Sequence, residues 1–392
     1  MTLPHPNPPN RLLLGGGPTN IDSRVLRALL APLVTHHDPF FYEVMNETQD
    51  LLRYVFQTKN ALTLPLSGTG NAGMEAALRN IAEPGEEVII GVNGFFGERM
   101  VEVATRVGIK PIRVEAKWGS ILKLEDFEAA FKTSQAKAVA LIHGETSTGI
   151  QQPIREIAAL AKSWGAYTIV DTVTSLGGCM LNVDAWGIDI CFSVSQKCLG
   201  SLPGLSPITV SERAYNAILN RKTKVSSFYF DLIELERYWS EERMYHHTAP
   251  ILMIYALQEA LRIVQEEGLE MRWKRHRKNS QGLIAGLEAL ELELFAQKEN
   301  VLPSLTTIKV PGTISEIKVR QWLLDNFNIE IGSGQGPLNG KIFRIGLMGV
   351  NSSEEKVMLI LEALTRALKK QGYNIRMGAG MEAAAEYYDS VS

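Results

Sequence analysis

Apolar residues in the first half of the chain come in short unbroken runs rather than in alternation. The runs at 62–66, 87–91, 110–114, 138–142, 167–171 and 188–194 each read as a strand. A strand that is apolar at every position suits a sheet covered on both faces. Between them, 71–82, 95–107, 124–132 and 154–164 read as helices. This alternation predicts an α/β fold with a mostly parallel sheet. Residues 210–280 read as mainly helical and polar, with a long helical run over 248–267. A basic run, MRWKRHRK at 271–278, has the ordinary reading of a solvated helix face.

The pattern changes beyond residue 302. Strands are expected at 304–310, 328–332 and 341–347, and helices at 313–326 and 353–370. In the last helix Val357, Ile360, Leu361, Leu364 and Leu368 form one stripe, and Asn351-Ser352-Ser353 ahead of Glu354 and Glu355 supplies a capped start. The expected organisation is a Pro-rich N-terminal arm over 1–19, a large domain over 20–270 and a smaller C-terminal α+β domain over 271–375. A tail over 376–392 is weakly patterned, which predicts a mobile or loosely docked segment.

Composition narrows the class. Hydrophobic residues make up 45% and charged residues 21% of the 392, the balance of a soluble globular protein. A net charge of −3 leaves no electrostatic footprint for nucleic acid or an anionic membrane, so neither is expected as a partner. No apolar stretch reaches the ~20 residues of a membrane helix. The segment MTLPHPNPPNR has no secretory apolar region, so a cytoplasmic protein is expected. Three cysteines without ligand spacing, and histidines in adjacent pairs, predict neither disulfides nor a metal site.

Three segments carry candidate chemistry. SGTGNAG at 67–73 follows a predicted strand and opens a predicted helix, where free N–H groups attract phosphate; a structural tight turn is the alternative. Asp171 ends the apolar strand TIVD, at the edge where open α/β sheets bind ligands; there it is either a site carboxylate or a helix cap. Lys197 follows a further apolar strand in SVSQKCLG, and a solvated lysine is its alternative. Phosphate loop, strand-end acid and lysine together are the parts of a pyridoxal 5'-phosphate site: an anchor, a partner for the ring nitrogen, and an amine that holds the cofactor covalently.

With LLLGGGPTN, SGTGNAGMEAAL, NGFFGER, HGETSTG, DTVTSLGG, SQKCL, MYHHTAP and FRIGLMG in this order, the chain resembles the class V aminotransferases, and most closely the alanine–glyoxylate and serine–glyoxylate group. The resemblance runs from about Leu12 to Leu368. It implies the pyridoxal phosphate-dependent transferase fold of type I, with a large domain and a smaller C-terminal α+β domain. It implies that Lys197 is the cofactor lysine with Gln196 beside it, that Asp171 meets the pyridine nitrogen, and that Val173 packs under the ring. Thr146 is implied at the ring hydroxyl and in substrate binding, Phe96 as the stacking ring, and Thr69, Gly70 and Asn71 at the phosphate. Tyr245 and Thr248 are implied to reach the phosphate held by the partner subunit, which makes the enzyme a homodimer with shared sites. Arg344, with backbone near Gly17, is implied to bind the substrate carboxylate; a structural salt bridge is its alternative.

The activity implied is transfer of an amino group from alanine to glyoxylate by a ping-pong cycle, with serine–glyoxylate or serine–pyruvate transfer as the other reading. A cysteine desulfurase needs a cysteine on a loop near the small domain, and none follows Cys198. A nicotinamide dehydrogenase would leave Asp171 and Lys197 without roles.

Overall fold

The computed structural model describes residues 8–391, so the first seven residues of the expected arm lie outside the described residues. The main sheet has seven strands in the spatial order Thr63–Ser67, Leu205–Val210, Ile190–Phe192, Tyr167–Asp171, Ala138–Ile142, Glu87–Val92, Lys110–Glu115. From Ile190–Phe192 to Lys110–Glu115 every neighbouring pair is parallel. Leu205–Val210 alone runs against both of its neighbours. Helices cover the faces, and the unbroken apolar runs are buried: Val88, Ile89, Ile90, Val139, Leu141, Ile169 and Val170 expose nothing. The α/β class with a mostly parallel sheet is therefore the observed one.

Two elements of this core lie where the hydrophobic pattern singles out nothing. Pro39–Phe56 is a helix, with Asp38 accepting the Phe40 N–H at its start and Pro39 in its first turn. Leu205–Val210 reads poorly as a strand because Pro207 interrupts it. The structure sets Pro207 opposite Pro65, so the two missing N–H groups fall at one register position.

A second sheet has the order Leu12–Leu14, Ile329–Ser333, Ile342–Gly346, Leu305–Lys309, the first pair parallel and the others antiparallel. Leu12–Leu14 thus pairs with C-terminal strands instead of standing apart as an arm, and Leu14 is fully buried in their core. The stripe of helix Glu354–Lys370 lies in the same core, and Ser353 accepts the Lys356 N–H at its start.

The expected loose tail is instead a docked helix, Ala379–Ser390. It packs on helix Leu269–Ala289, where a Cβ on Gly282 would lie 2.7 Å from the Tyr388 ring and a Cβ on Gly286 would lie 2.8 Å from the Gly380 carbonyl. Glycine gives the two helices room to meet, and the Tyr388 hydroxyl donates to Asn279 at 3.0 Å. The buried positions of Ala379–Ser390 are Ala379, Gly380, Ala384 and Tyr388, mostly small residues, so its apolar stripe is weak in the sequence. Among the described residues no helix is long and apolar enough to cross a membrane, and no His/Cys/Asp/Glu cluster could hold a metal ion.

Candidate active site

The candidates of the large sheet all lie at the carboxyl edge of their strands or just beyond it, where the ends of parallel strands leave a crevice. Thr69, Gly70 and Asn71 follow Thr63–Ser67 and open helix Gly70–Ile81. Phe96 lies in the first turn of helix Phe95–Arg106, Thr146 follows Ala138–Ile142, and Asp171 ends its own strand. Gln196 and Lys197 follow Ile190–Phe192. These residues, together with Val173, Gly17 and Arg344, line one cavity of about 290 Å³.

Lys197 is buried, not solvated. Its Nζ donates to the Gly16 carbonyl. Burial lowers the ammonium to about 8, and the nearby Arg344 cation adds to the shift. The amine is therefore partly free near neutral pH. Gly17 has φ +98, and a Cβ there would lie 2.5 Å from Lys197 Cδ, so the third glycine of GGGP makes space for the lysine.

Asp171 Oδ1 accepts the Val173 N–H at 2.8 Å, which fixes the turn after the strand; no helix starts there for it to cap. Its other oxygen has no donor among the described residues. Burial pushes the carboxyl up to about 7; the Val173 bond opposes this, Glu145 reinforces it and Lys197 opposes it. Such an acid calls for a cation beside it.

The Thr69 side chain makes no capping bond, and although the Ala72 N–H donates to the Thr69 carbonyl at 2.8 Å, the Gly70 and Asn71 amides at the start of helix Gly70–Ile81 are left to a ligand. Gln196 Oε1 is buried without a hydrogen-bond partner. A Cβ on Gly70 would lie 2.9 Å from Val173 Cγ2, so this turn tolerates no side chain where it meets the residue after the acid. The Thr146 hydroxyl bonds that of Thr174. An anion site, a cation-seeking acid, a half-exposed ring at Phe96 and an amine with a lowered pKa suit a phosphorylated pyridine aldehyde, and the donor set fits pyridoxal phosphate.

Arg344 crosses from the second sheet. Its Nε donates to the Ser333 carbonyl at 2.6 Å and its Nη1 to the Thr146 carbonyl at 3.2 Å. No described carboxylate pairs with it, so the salt-bridge alternative fails; Nη2 is left for a ligand. Burial lowers its pKa, which a bound carboxylate would offset.

Tyr245 and Thr248 lie outside the cavity. Both are exposed, with Tyr245 Oη 3.4 Å from Thr248 Oγ1. Their segment is tied to the strand that leads into the Thr69–Asn71 turn through His247 Nε2, 2.7 Å from Ser67 Oγ.

The basic run 271–278 departs from its expected solvated face. Met271, Lys274 and Arg277 point outward, but Arg272 and His276 are buried. Arg272 donates through Nη2 to the Cys198 carbonyl at 2.7 Å and through Nε to the Gly177 carbonyl at 3.1 Å, while Glu267 balances its charge at 2.6 Å. One guanidinium thus ties the turn after Lys197 to the turn after Asp171. His276 Nδ1 faces the Arg272 carbonyl and Nε2 accepts the Gly349 N–H at 3.1 Å, which sets the neutral tautomer. Glu145 is a second residue without a role in the sequence reading. Buried, it accepts the N–H groups of Phe96 and Gly97 and fixes the start of the helix that carries Phe96. Its only sequence signal is a carboxylate three residues beyond the apolar strand Ala138–Ile142, inside HGETSTG.

Comparison with known proteins follows the same lines. The profile of the family "Aminotransferase class-V" matches residues 26–357. The chain is 40% identical to the (S)-ureidoglycine–glyoxylate transaminase of Bacillus subtilis (strain 168), over 97% of this chain and 96% of that one. It is 40% identical to the alanine–glyoxylate aminotransferase of Callithrix jacchus, over 92% of this chain and 88% of that one. Among solved structures, the Bacillus subtilis ureidoglycine–glyoxylate aminotransferase aligns with a TM-score of 0.96 at 41% identity, covering 98% of this chain and 100% of that one. The alanine–glyoxylate aminotransferase of Nostoc sp. aligns with a TM-score of 0.92 at 46% identity, covering 94% and 98%. The chain belongs to the class V aminotransferases, pyridoxal phosphate-dependent enzymes of fold type I.

Proposed function

We propose that the enzyme transfers the amino group of alanine to glyoxylate, forming pyruvate and glycine in two half-reactions. The observation that carries this reading is Arg344, a half-buried guanidinium without a carboxylate partner among the described residues, lining one small cavity with Lys197. A substrate needs a carboxylate for the arginine and an amine or carbonyl for the lysine end, with little bulk between. Glyoxylate and alanine meet that description. Glyoxylate is also the acceptor named in both relatives.

In this reading Thr69, Gly70, Asn71 and Gln196 hold the cofactor phosphate, Phe96 and Val173 enclose its ring, and Thr146 meets the ring hydroxyl. Bound there, the cofactor supplies an electron sink for the bonds at the substrate Cα. Lys197 Nζ holds the cofactor covalently, and once released it takes the Cα proton and returns it at the other end of the transfer. Its pKa of about 8 suits both directions near neutral pH. Asp171 supplies the negative charge that keeps the ring nitrogen protonated. Arg344, with the backbone at Gly17, orients the carboxylate. The enzyme is a homodimer in which Tyr245 and Thr248 serve the partner's phosphate site.

Serine as donor, to glyoxylate or pyruvate, is the second reading, and (S)-ureidoglycine enters beside it from the Bacillus subtilis relative. The test is a panel of donors against glyoxylate, scored as kcat/KM ratios. Alanine should lead with glycine as product. A tenfold lead for serine or ureidoglycine would reassign the donor, and no glycine from any donor would reject the acceptor. Borohydride reduction should fix the cofactor to the peptide containing Lys197.

A further inference from the structure

The turn that follows strand Ile329–Ser333 carries a side chain the reaction has not yet used. Ser333 holds Arg344 Nε through its carbonyl. The chain then turns within Gly334–Pro337. The Leu338 carbonyl occupies the place of a side chain at Gly334. Gly336 has φ +54, and a Cβ there would lie 3.2 Å from the Phe95 ring. The turn is therefore pinned between the C-terminal sheet and the start of the helix that carries Phe96, and Gln335 is set into the cavity wall.

Gln335 Oε1 lies 3.4 Å from Arg344 Nη1, the orientation that a cation imposes on an amide. Its Nε2 is then the outward group, and no described residue accepts from it. A substrate carboxylate at the free end of Arg344 leaves this neutral donor pair beside the substrate. Of the other wall residues, Thr69, Asn71, Thr146 and Gln196 serve the cofactor in this reading, while Met74 and Pro203 suit a methyl group but give an oxygen no partner.

We propose that Gln335 is a specificity-determining residue: its Nε2–H donates to an oxygen on the side chain of the amino donor. It thereby adds oxygen-bearing donors, such as serine, to alanine. The proposal rests on the reading that Arg344 takes the donor carboxylate and Lys197 meets the amine. Gln335 is only half-buried, so water satisfies its amide when alanine is bound, and alanine is not excluded. One neutral hydrogen bond supports a discrimination of about tenfold, or about 1.4 kcal/mol.

The test is the donor half-reaction of the holoenzyme, with no glyoxylate present, followed by loss of the bound cofactor's absorbance. Gln335→Met keeps the length and removes the Nε2 donor, together with the weak 3.4 Å contact of Oε1 to Arg344 Nη1, whose loss would affect both donors alike. With serine kcat/KM should fall about tenfold, while with alanine it should change less than twofold; the alanine rate also shows that the variant is folded. Gln335→Asn, which retracts the donor by one methylene, should fall between. Equal losses for both donors would show that Gln335 serves the shared carboxylate through Arg344 and overturn the proposal, as would no loss for serine. A failure of glyoxylate as acceptor would appear only in the second half-reaction and leave this result intact.

Discussion

A single carboxyl shows how this site stores its chemistry in an unfavourable residue. Asp171 is buried at a strand end with one backbone donor, and its pKa of about 7 reflects what burial costs an unpaired charge. A protonated ring nitrogen beside it would repay that cost and keep it ionised. Asp171→Asn keeps the hydrogen-bonding reach and loses the charge. Turnover should drop ~10²-fold or more, about 2.7 kcal/mol of transition-state stabilisation, while covalent attachment at Lys197 persists. Single-turnover reaction with alanine measures this, and a near-normal rate would reduce Asp171 to a turn-forming residue. Stability without cofactor should move the other way. A carboxyl raised from 3.8 costs the fold little below pH 4 and progressively more as pH rises to about 7, after which the penalty is constant. Thermal unfolding of the cofactor-free proteins should therefore favour the Asn variant more at pH 8 than at pH 4.

At the level of elements, the site depends on two turns held at a fixed separation, and Arg272 on helix Leu269–Ala289 holds them. Arg272→Met removes donors from the Gly177 and Cys198 carbonyls, while Glu267 keeps its 2.6 Å partner Arg275. The expected result is a loss of about 2–4 kcal/mol in stability, with faster cofactor dissociation on dialysis. Arg272→Lys should recover little, because an ammonium cannot span two carbonyls and a carboxylate as the planar fork does. Lys274→Met, on the outward face, should stay within about 0.5 kcal/mol of wild type; equal losses at 272 and 274 would rule out the clamp. The difference between these two positions also marks what the sequence could reveal. Asp171 and Lys197 were legible because each is a polar residue against an apolar strand, and that contrast survives without coordinates. Arg272 sits among other cations, and only the packing of its helix across both turns separates it from Lys274. Helix Ala379–Ser390 was hard to read for a related reason: it docks through the close approach of Gly282, Gly286 and Gly380, and its buried stripe of Gly380, Ala384 and Tyr388 has only one large apolar side chain. Gln335 is a single amide between glycines, without any pattern until Arg344 is placed beside it.

Among the described residues, a group of large apolar side chains is exposed around the Tyr245 segment. Leu30 is 83% exposed, Leu33 69%, Phe228 67% and Tyr245 55%. They belong to neighbouring segments: the His36 and Tyr245 rings lie 5.1 Å apart, and Phe228 stacks on His246 at 4.7 Å. Large apolar side chains clustered this way suit an association surface, which is where the proposed dimer would pair. The face holds the two candidates that miss the cavity of their own chain, Tyr245 and Thr248, on a segment tied through His247 to Ser67, just before the Thr69–Asn71 turn. A two-fold axis through it would exchange the same patch both ways and bring each Tyr245 to the other chain's turn. Complementation tests this directly. Lys197→Ala and Tyr245→Ala chains are each inactive as pure dimers under this arrangement. In a hybrid, the Tyr245→Ala chain keeps its own Lys197 and receives an intact Tyr245 from its partner, so one of the two sites is whole. Random co-assembly makes half the dimers hybrid, which predicts recovery of about a quarter of wild-type activity. If Tyr245 served its own chain's site, no hybrid site would be whole and mixing would restore nothing. Sedimentation of the wild-type protein as a fully active monomer would remove the shared site altogether.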